Sequence, residues 1–104
     1  MQILFNRLTG SKLKIAEFIH DYIHMQFENE SVSNIFNKVT TFNFELKNLS
    51  DLKGRTIISI ESSENLLSLD LEGKILNVGI SEFDYVGPEA LDFKGKDGEL
   101  IVWR

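Results

Sequence analysis

The chain has 104 residues, a net charge of −5 and no cysteine, and 42% of its residues are hydrophobic while 26% are charged. A chain of this length buries about 60–70% of its unfolded surface, so we predict one domain over residues 1–104 with a single core. The lack of cysteine excludes disulfides, thiolate metal sites and cysteine nucleophiles. The N-terminus has neither a basic start nor a long apolar run, which predicts no signal peptide. No apolar run anywhere in the chain is long enough to cross a membrane, so we predict no membrane span and a cytoplasmic protein.

The first forty residues carry apolar side chains at helical spacing. Residues 1–8 alternate only weakly and are compatible with a short strand or a lead into a helix. Ser11 is a suitable N-cap, and the apolar residues of 12–28 recur every three or four positions, which predicts one long helix. Ser31 can cap a second, shorter helix through residue 38. The sequence therefore predicts that helices form the N-terminal part of the fold.

Near Thr40 the apolar period changes from about 3.6 to 2, the period of strands. Residues 42–46 alternate, 48–54 are polar and turn-like, and further strands are predicted over 56–61, 66–71, 74–80, 91–93 and 99–103. Glu72-Gly73 is a two-residue turn candidate, so 66–80 is predicted to form a hairpin. The short connections favour an antiparallel meander, and we predict an α+β fold with N-terminal helices packed on this sheet.

Two histidines four residues apart, His20 and His24, have the layout of the zinc-protease motif H-E-x-x-H, with Asp21 in place of its glutamate. On the predicted helix both imidazoles lie on the polar face, and aspartate is one methylene shorter than the general base that the motif needs. A catalytic zinc also requires a third ligand and a dry cavity. The sequence thus predicts no catalytic residue, no metal and no cofactor. A small metal-dependent hydrolase that uses His20 and His24 remains an alternative.

Charge is unevenly distributed along the chain. Residues 56–93 contain eight carboxylates and one lysine, a net charge of −7, which leaves about +2 for the remainder. An acidic surface repels phosphate backbones and attracts basic proteins, so we predict a protein partner and no nucleic-acid binding. Acidic residues on the wet face of a sheet also promote solubility, which is the simpler explanation.

The segment SEFDYVGPEALDF, residues 81–93, is the most unusual part of this acidic region. Acidic and aromatic residues alternate over 82–85, so an extended segment would have one anionic and one aromatic face. Tyrosine is common at interaction hot spots, and flanking carboxylates guide a basic partner. The predicted partner-binding residues are Glu82, Asp84, Tyr85, Glu89 and Asp92. An ordinary strand and loop with its aromatic residues in the core is the competing interpretation.

The build of the chain, the acidic region and this segment together resemble the small immunity proteins of contact-dependent growth inhibition and related bacterial toxin systems. The resemblance implies a cytoplasmic, non-enzymatic protein that binds one cognate toxin, often a basic nuclease, and occludes its active site. These proteins share no common motif, so no family residue is transferred to this chain. Alternatives of other classes are a phage-type nucleic-acid mimic, a host-directed inhibitor and a plain subunit or oligomerisation module.

Overall fold

The computed structural model describes residues 2–104 and, within them, one α-helix, two 3₁₀ helices and nine strands. The helix α1 spans Gln2–Leu8, and the 3₁₀ helices span Leu46–Leu52 and Glu82–Asp84. The strands are β1 (Leu13–Ile19), β2 (Tyr22–Phe27), β3 (Val32–Ile35), β4 (Val39–Phe42), β5 (Ile57–Ser62), β6 (Leu66–Leu71), β7 (Lys74–Gly79), β8 (Leu91–Lys94) and β9 (Leu100–Trp103). No helix within the described residues has the length and apolar character needed to cross a membrane.

The strands form two antiparallel sheets, ordered β1-β2-β3-β8-β9 and β4-β7-β6-β5. The sheets meet at one edge, where Leu13 N donates to Arg55 O at 2.8 Å and Ile57 N donates to Ser11 O at 3.0 Å. The predicted antiparallel pairing is therefore confirmed, but the predicted single meander is wrong, because there are two sheets and β3 pairs with β8 and β4 with β7, which are not consecutive strands. The α+β class holds only as a coarse description, because strands form most of the regular secondary structure and the one α-helix among the described residues has only seven residues.

One hydrophobic core is shared by the inner faces of both sheets, α1 and the Leu46–Leu52 segment. Its buried members are mainly leucines, with isoleucine, phenylalanine, valine, methionine and alanine. The helix is fixed to β9 and the loop before it, since Phe5 stacks on Trp103 with ring centroids 6.0 Å apart. Arg7 Nε pairs with Glu99 Oε1 at 2.8 Å on the solvent side. Residues 2–8 are thus a helix that contributes to the core, one of the two possibilities that the sequence left open.

The predicted long helix over residues 12–28 is wrong, because this segment is the β1–β2 hairpin. The side chains of Ile23, Met25 and Phe27 are buried, and the residues between them face outward, so the period is 2. The pairing register of β1 shifts between Leu13 and Ile15, and this bulge moves the apolar side chains out of strict alternation. Because of this bulge and the two-residue turn after β1, the apolar residues of 12–28 recur every three or four positions, as they would in a helix.

The predicted short helix over residues 31–38 is also wrong, because β3 occupies its centre. Residues 31–37 alternate strictly between buried and half-buried positions, but three of the four buried ones are polar: Ser31, Ser33 and Asn37. Each forms at least one local or cross-strand hydrogen bond. Asn37 Nδ2, for example, donates to Gly79 O at 2.7 Å, whereas the buried Asn37 Oδ1 has no partner among the described residues. Burial of paired polar groups is tolerated, and it hides a strand from any analysis that uses apolar periodicity.

The β6–β7 hairpin confirms the clearest prediction made from the sequence. Leu71 pairs with Lys74, and the intervening Glu72 and Gly73 have φ of 53° and 94°. Positive φ at both central residues is the pattern of the type I′ turn, which matches the twist of the flanking strands. Strands β5, β8 and β9 also lie where they were predicted, whereas the strand predicted over 42–46 ends at Phe42.

Candidate functional site

Residues 80–90 carry the chain from β7 in the four-stranded sheet to β8 in the five-stranded sheet. The sequence predicted an extended segment here, but Glu82–Asp84 is a 3₁₀ helix. Phe83 is consequently 81% exposed and Val86 is 71% exposed, the two highest values among the large apolar residues that the structure describes. Tyr85 instead packs against the core. We call Phe83, Val86 and the neighbouring carboxylates of Glu82 and Glu89 the 82–89 surface.

A capping box explains the turn. Ser81 Oγ and N both donate to Asp84 Oδ2, at 2.9 and 3.2 Å, and Asp84 N donates to Ser81 O at 3.0 Å. The sequence signal for this arrangement, a serine followed three residues later by an acidic residue, is present in Ser81-Glu82-Phe83-Asp84. The alternation of acidic and aromatic residues over 82–85 therefore does not produce two opposite faces.

The five residues predicted to bind a partner lie in different environments. Glu82 is exposed, and Glu89 is half-buried beside a pocket described below. Tyr85 lies at the edge of the core, and the Asp84 carboxylate caps the turn. Asp92 lies on β8, on the outer face of the five-stranded sheet. Glu82 and Glu89 thus share the connection between β7 and β8. The Asp84 carboxylate, in contrast, has a structural role in the turn.

The Gly79→Ala variant is expected to lose about 1–3 kcal/mol of unfolding free energy, because a Cβ at Gly79 would overlap the Asp84 carboxylate and break its bonds to Ser81. Gly87→Ala is the matched control. A Cβ at Gly87 meets no atom within 4 Å, so this change should be neutral or stabilising by less than about 1 kcal/mol. Urea denaturation measures both. Equal stability of the two variants would show that the hydrogen bonds between Ser81 and the Asp84 carboxylate contribute nothing to the free energy of unfolding.

The outer face of the five-stranded sheet carries a polar row across its strands. Its polar members are register partners in successive strands: Glu17, His24, Asn34 and Asp92. The row ends at the apolar Val102 of β9. Asn34 donates from its backbone N and from Nδ2 to Asp92 Oδ1, at 2.9 and 3.1 Å. Its Oδ1 therefore faces His24 Nδ1, 2.7 Å away, which must carry the proton. Gln26 Nε2 then donates to the other ring nitrogen of His24 at 3.1 Å. This row fixes the histidine tautomer and links three strands.

The two histidines are not arranged as the predicted helix would place them. His20 lies in the turn between β1 and β2 with φ of 56°, and His24 lies within β2 in the polar row. The premise that both imidazoles share one helix face is wrong. In the part of the chain that the structure describes, no three His, Asp or Glu side chains are grouped so that they could hold a metal ion.

A pocket of about 270 Å³ lies where residues 86–89 of the connection between β7 and β8 pass the outer face of the five-stranded sheet. We call it the aromatic pocket. Extending the β2–β3 register by one pair places Tyr22 opposite Phe36, and their ring centroids are 5.4 Å apart at an interplanar angle of 49°. Asp21, Glu89 and the loop over residues 86–88 complete the lining. Sequence reasoning missed this pocket, because it assigned Tyr22 and Phe36 to the apolar faces of two separate helices.

No protein-family model, no curated protein and no solved structure matches the chain. The functional argument therefore depends on the surface chemistry described above.

Proposed function

We propose that the protein is a cytoplasmic, non-enzymatic inhibitor of the immunity type. It binds one basic protein, a toxin domain of the nuclease class, and occludes its active site. The observation that carries the proposal is the 82–89 surface: the two most exposed large apolar side chains that the structure describes, Phe83 and Val86, lie on the same connection as the carboxylates of Glu82 and Glu89. Protein interfaces combine apolar anchors with a charged rim in this way.

Electrostatics supports the choice of a basic partner. The chain has a net charge of −5, and residues 56–93 alone carry −7. Such a field accelerates association with a cationic protein and disfavours acidic competitors. In the proposed complex the carboxylates of the connection occupy positions where phosphates of the nuclease substrate would bind.

The distribution of acids favours an inhibitor over a nucleic-acid mimic. A mimic needs carboxylates spaced like phosphates over one broad face. Here Glu61 and Asp70 pair with Ser68 and Ser59 in the four-stranded sheet, while Asp92 lies in the five-stranded sheet. The acids therefore belong to several surfaces, and among these the connection between β7 and β8 carries the most exposed large apolar side chains that the structure describes, Phe83 and Val86.

The test uses the toxin domain encoded beside this gene, expressed from an inducible promoter. We expect the toxin to stop growth, co-expression of this protein to restore it, and the purified pair to form a stoichiometric complex without toxin activity. The Phe83→Ser, Val86→Ser double variant should fail to restore growth although it folds. A neighbouring product that is not toxic, or rescue by the double variant at the wild-type level, would contradict the proposal.

A further inference from the structure

We infer that the aromatic pocket receives an arginine or lysine side chain of the partner protein. The inference depends on the proposed function for the identity of the partner, but the pocket chemistry can be tested without it. The pocket lies at the end of the outer sheet face and is bounded by Val86 and Glu89, which also belong to the 82–89 surface. A partner docked on that surface would therefore reach the pocket.

The size of the pocket suits one side chain. Sites for drug-sized ligands occupy about 300–1,000 Å³. The volume here is about 270 Å³, and its walls are the Tyr22 and Phe36 rings and the short aliphatic surfaces of Val86 and Pro88. Long basic side chains lay their methylene groups along apolar walls of this kind and keep the charged group at a polar edge.

The polar edge is anionic. Asp21 and Glu89 both line the pocket, and neither forms an ion pair with any residue that the structure describes. None of the side chains that line the pocket is basic. A guanidinium or ammonium group would bind these carboxylates by charge-assisted hydrogen bonds. The rings of Tyr22 and Phe36 would add a cation–π attraction, since such contacts act within about 6 Å of a ring centroid.

The probe is a capped tripeptide, acetyl-Gly-Arg-Gly-amide, titrated into the intact ¹⁵N-labelled protein and followed by NMR. The lysine peptide is tested in parallel, and the citrulline peptide, which has nearly the same shape but no charge, is the control. We expect saturable shifts at Tyr22, Phe36 and Glu89 with the two charged peptides and none with citrulline. Equal responses to arginine and citrulline, or no saturable response to either charged peptide, would overturn the inference.

Variants assign the response to the pocket. Asp21→Asn with Glu89→Gln should weaken arginine binding by about tenfold or more, since charge-assisted bonds are about twice as strong as neutral ones. Tyr22→Leu should weaken it less, because it removes only the cation–π contact. Glu61→Gln with Glu64→Gln, which removes two exposed acids elsewhere, should leave it unchanged. A control pair that weakens binding as much would show a diffuse charge effect and overturn the inference.

Toxin neutralisation and peptide binding together distinguish a failure of this inference from a failure of the proposed function. If the toxin is neutralised equally well by the wild type and by the Asp21→Asn, Glu89→Gln variant, the inhibitor function stands and the pocket inference fails. If the arginine peptide binds as expected and no toxin is neutralised, the pocket stands and the proposed function fails.

Discussion

Phe27→Ala is expected to lower the free energy of unfolding by about 3–5 kcal/mol, whereas Phe83→Ala should change it by less than about 0.5 kcal/mol. The two substitutions remove the same atoms from opposite environments. Phe27 is 1% exposed on the inner face of β2, and Phe83 is 81% exposed on the connection. Truncation of Phe27 leaves a cavity that the core closes only in part, while the Phe83 ring already contacts water.

Urea denaturation with a far-ultraviolet circular dichroism signal measures both values. Domains of this size have a total stability of about 5–15 kcal/mol, so Phe27→Ala should remain folded but with a much lower midpoint. The slope of the unfolding free energy against urea concentration should be unchanged in both variants. A cost of 3 kcal/mol or more for Phe83→Ala would mean that its ring is buried, and the 82–89 surface would then lack its main apolar anchor.

The hairpin over residues 66–80 could be predicted because all of its signals are local. Leu67, Leu69 and Leu71 alternate with polar residues, and Glu72-Gly73 has the composition of a two-residue turn. Each of these leucines is 0% exposed, as that alternation predicts. A turn and two alternating strands depend on no distant part of the chain.

Residues 12–37 could not be predicted from periodicity, because the face that is buried is not the apolar one throughout. Around β3 the apolar Val32 and Phe36 are half-buried on the outer side, while the polar Ser33 and Asn37 are buried and hydrogen-bonded. Those pairings join β3 to β8 and to the end of β7, which are far away in sequence. Tertiary pairing therefore overrides the apparent helical spacing. The many β-branched and aromatic residues of this region were the sequence signal that favoured strands.

The sequence singled out residues 81–93 but could not give their geometry. This segment contains the two most exposed large apolar side chains that the structure describes, Phe83 and Val86, yet which aromatic residue faces solvent depends on the capping box of Ser81 and Asp84. The pairing of Tyr22 with Phe36 requires the β2–β3 hairpin, and the approach of Glu89 to both requires the β3–β8 pairing. Contacts that join three separate segments leave no mark in a single sequence.

The structure also changes which charges should be tested. Asp84 was among the predicted partner-binding residues, but its carboxylate accepts two hydrogen bonds from Ser81. Its loss would disturb the turn and obscure any effect on binding. Glu82 and Glu89 are the better pair, because neither carboxylate forms a hydrogen bond or an ion pair with the residues that the structure describes.

The Phe83→Ser, Val86→Ser variant should bind the basic partner at least about 30-fold more weakly, since removal of a hot-spot side chain costs about 2 kcal/mol or more. Most of the loss should appear in the dissociation rate, which dominates affinity changes within one interface. Phe42→Ser is the control, because Phe42 is also an exposed aromatic residue, 58% accessible, but lies on β4 of the four-stranded sheet and not on the 82–89 surface. Surface plasmon resonance at constant salt gives both rates.

Charge should act on both rates. Glu82→Gln with Glu89→Gln is expected to slow association, because both carboxylates attract the basic partner, and to speed dissociation, because Glu89 lines the aromatic pocket that would hold the partner's basic side chain. Raising salt from 0.1 M to 1 M shortens the screening length from about 10 Å to about 3 Å, and wild-type association should slow toward the rate of the charge variant. The apolar double variant should keep the wild-type salt dependence. If Phe42→Ser weakens binding as much as the Phe83→Ser, Val86→Ser pair, or if the charge variant associates at the wild-type rate in low salt, the interface lies elsewhere on the protein.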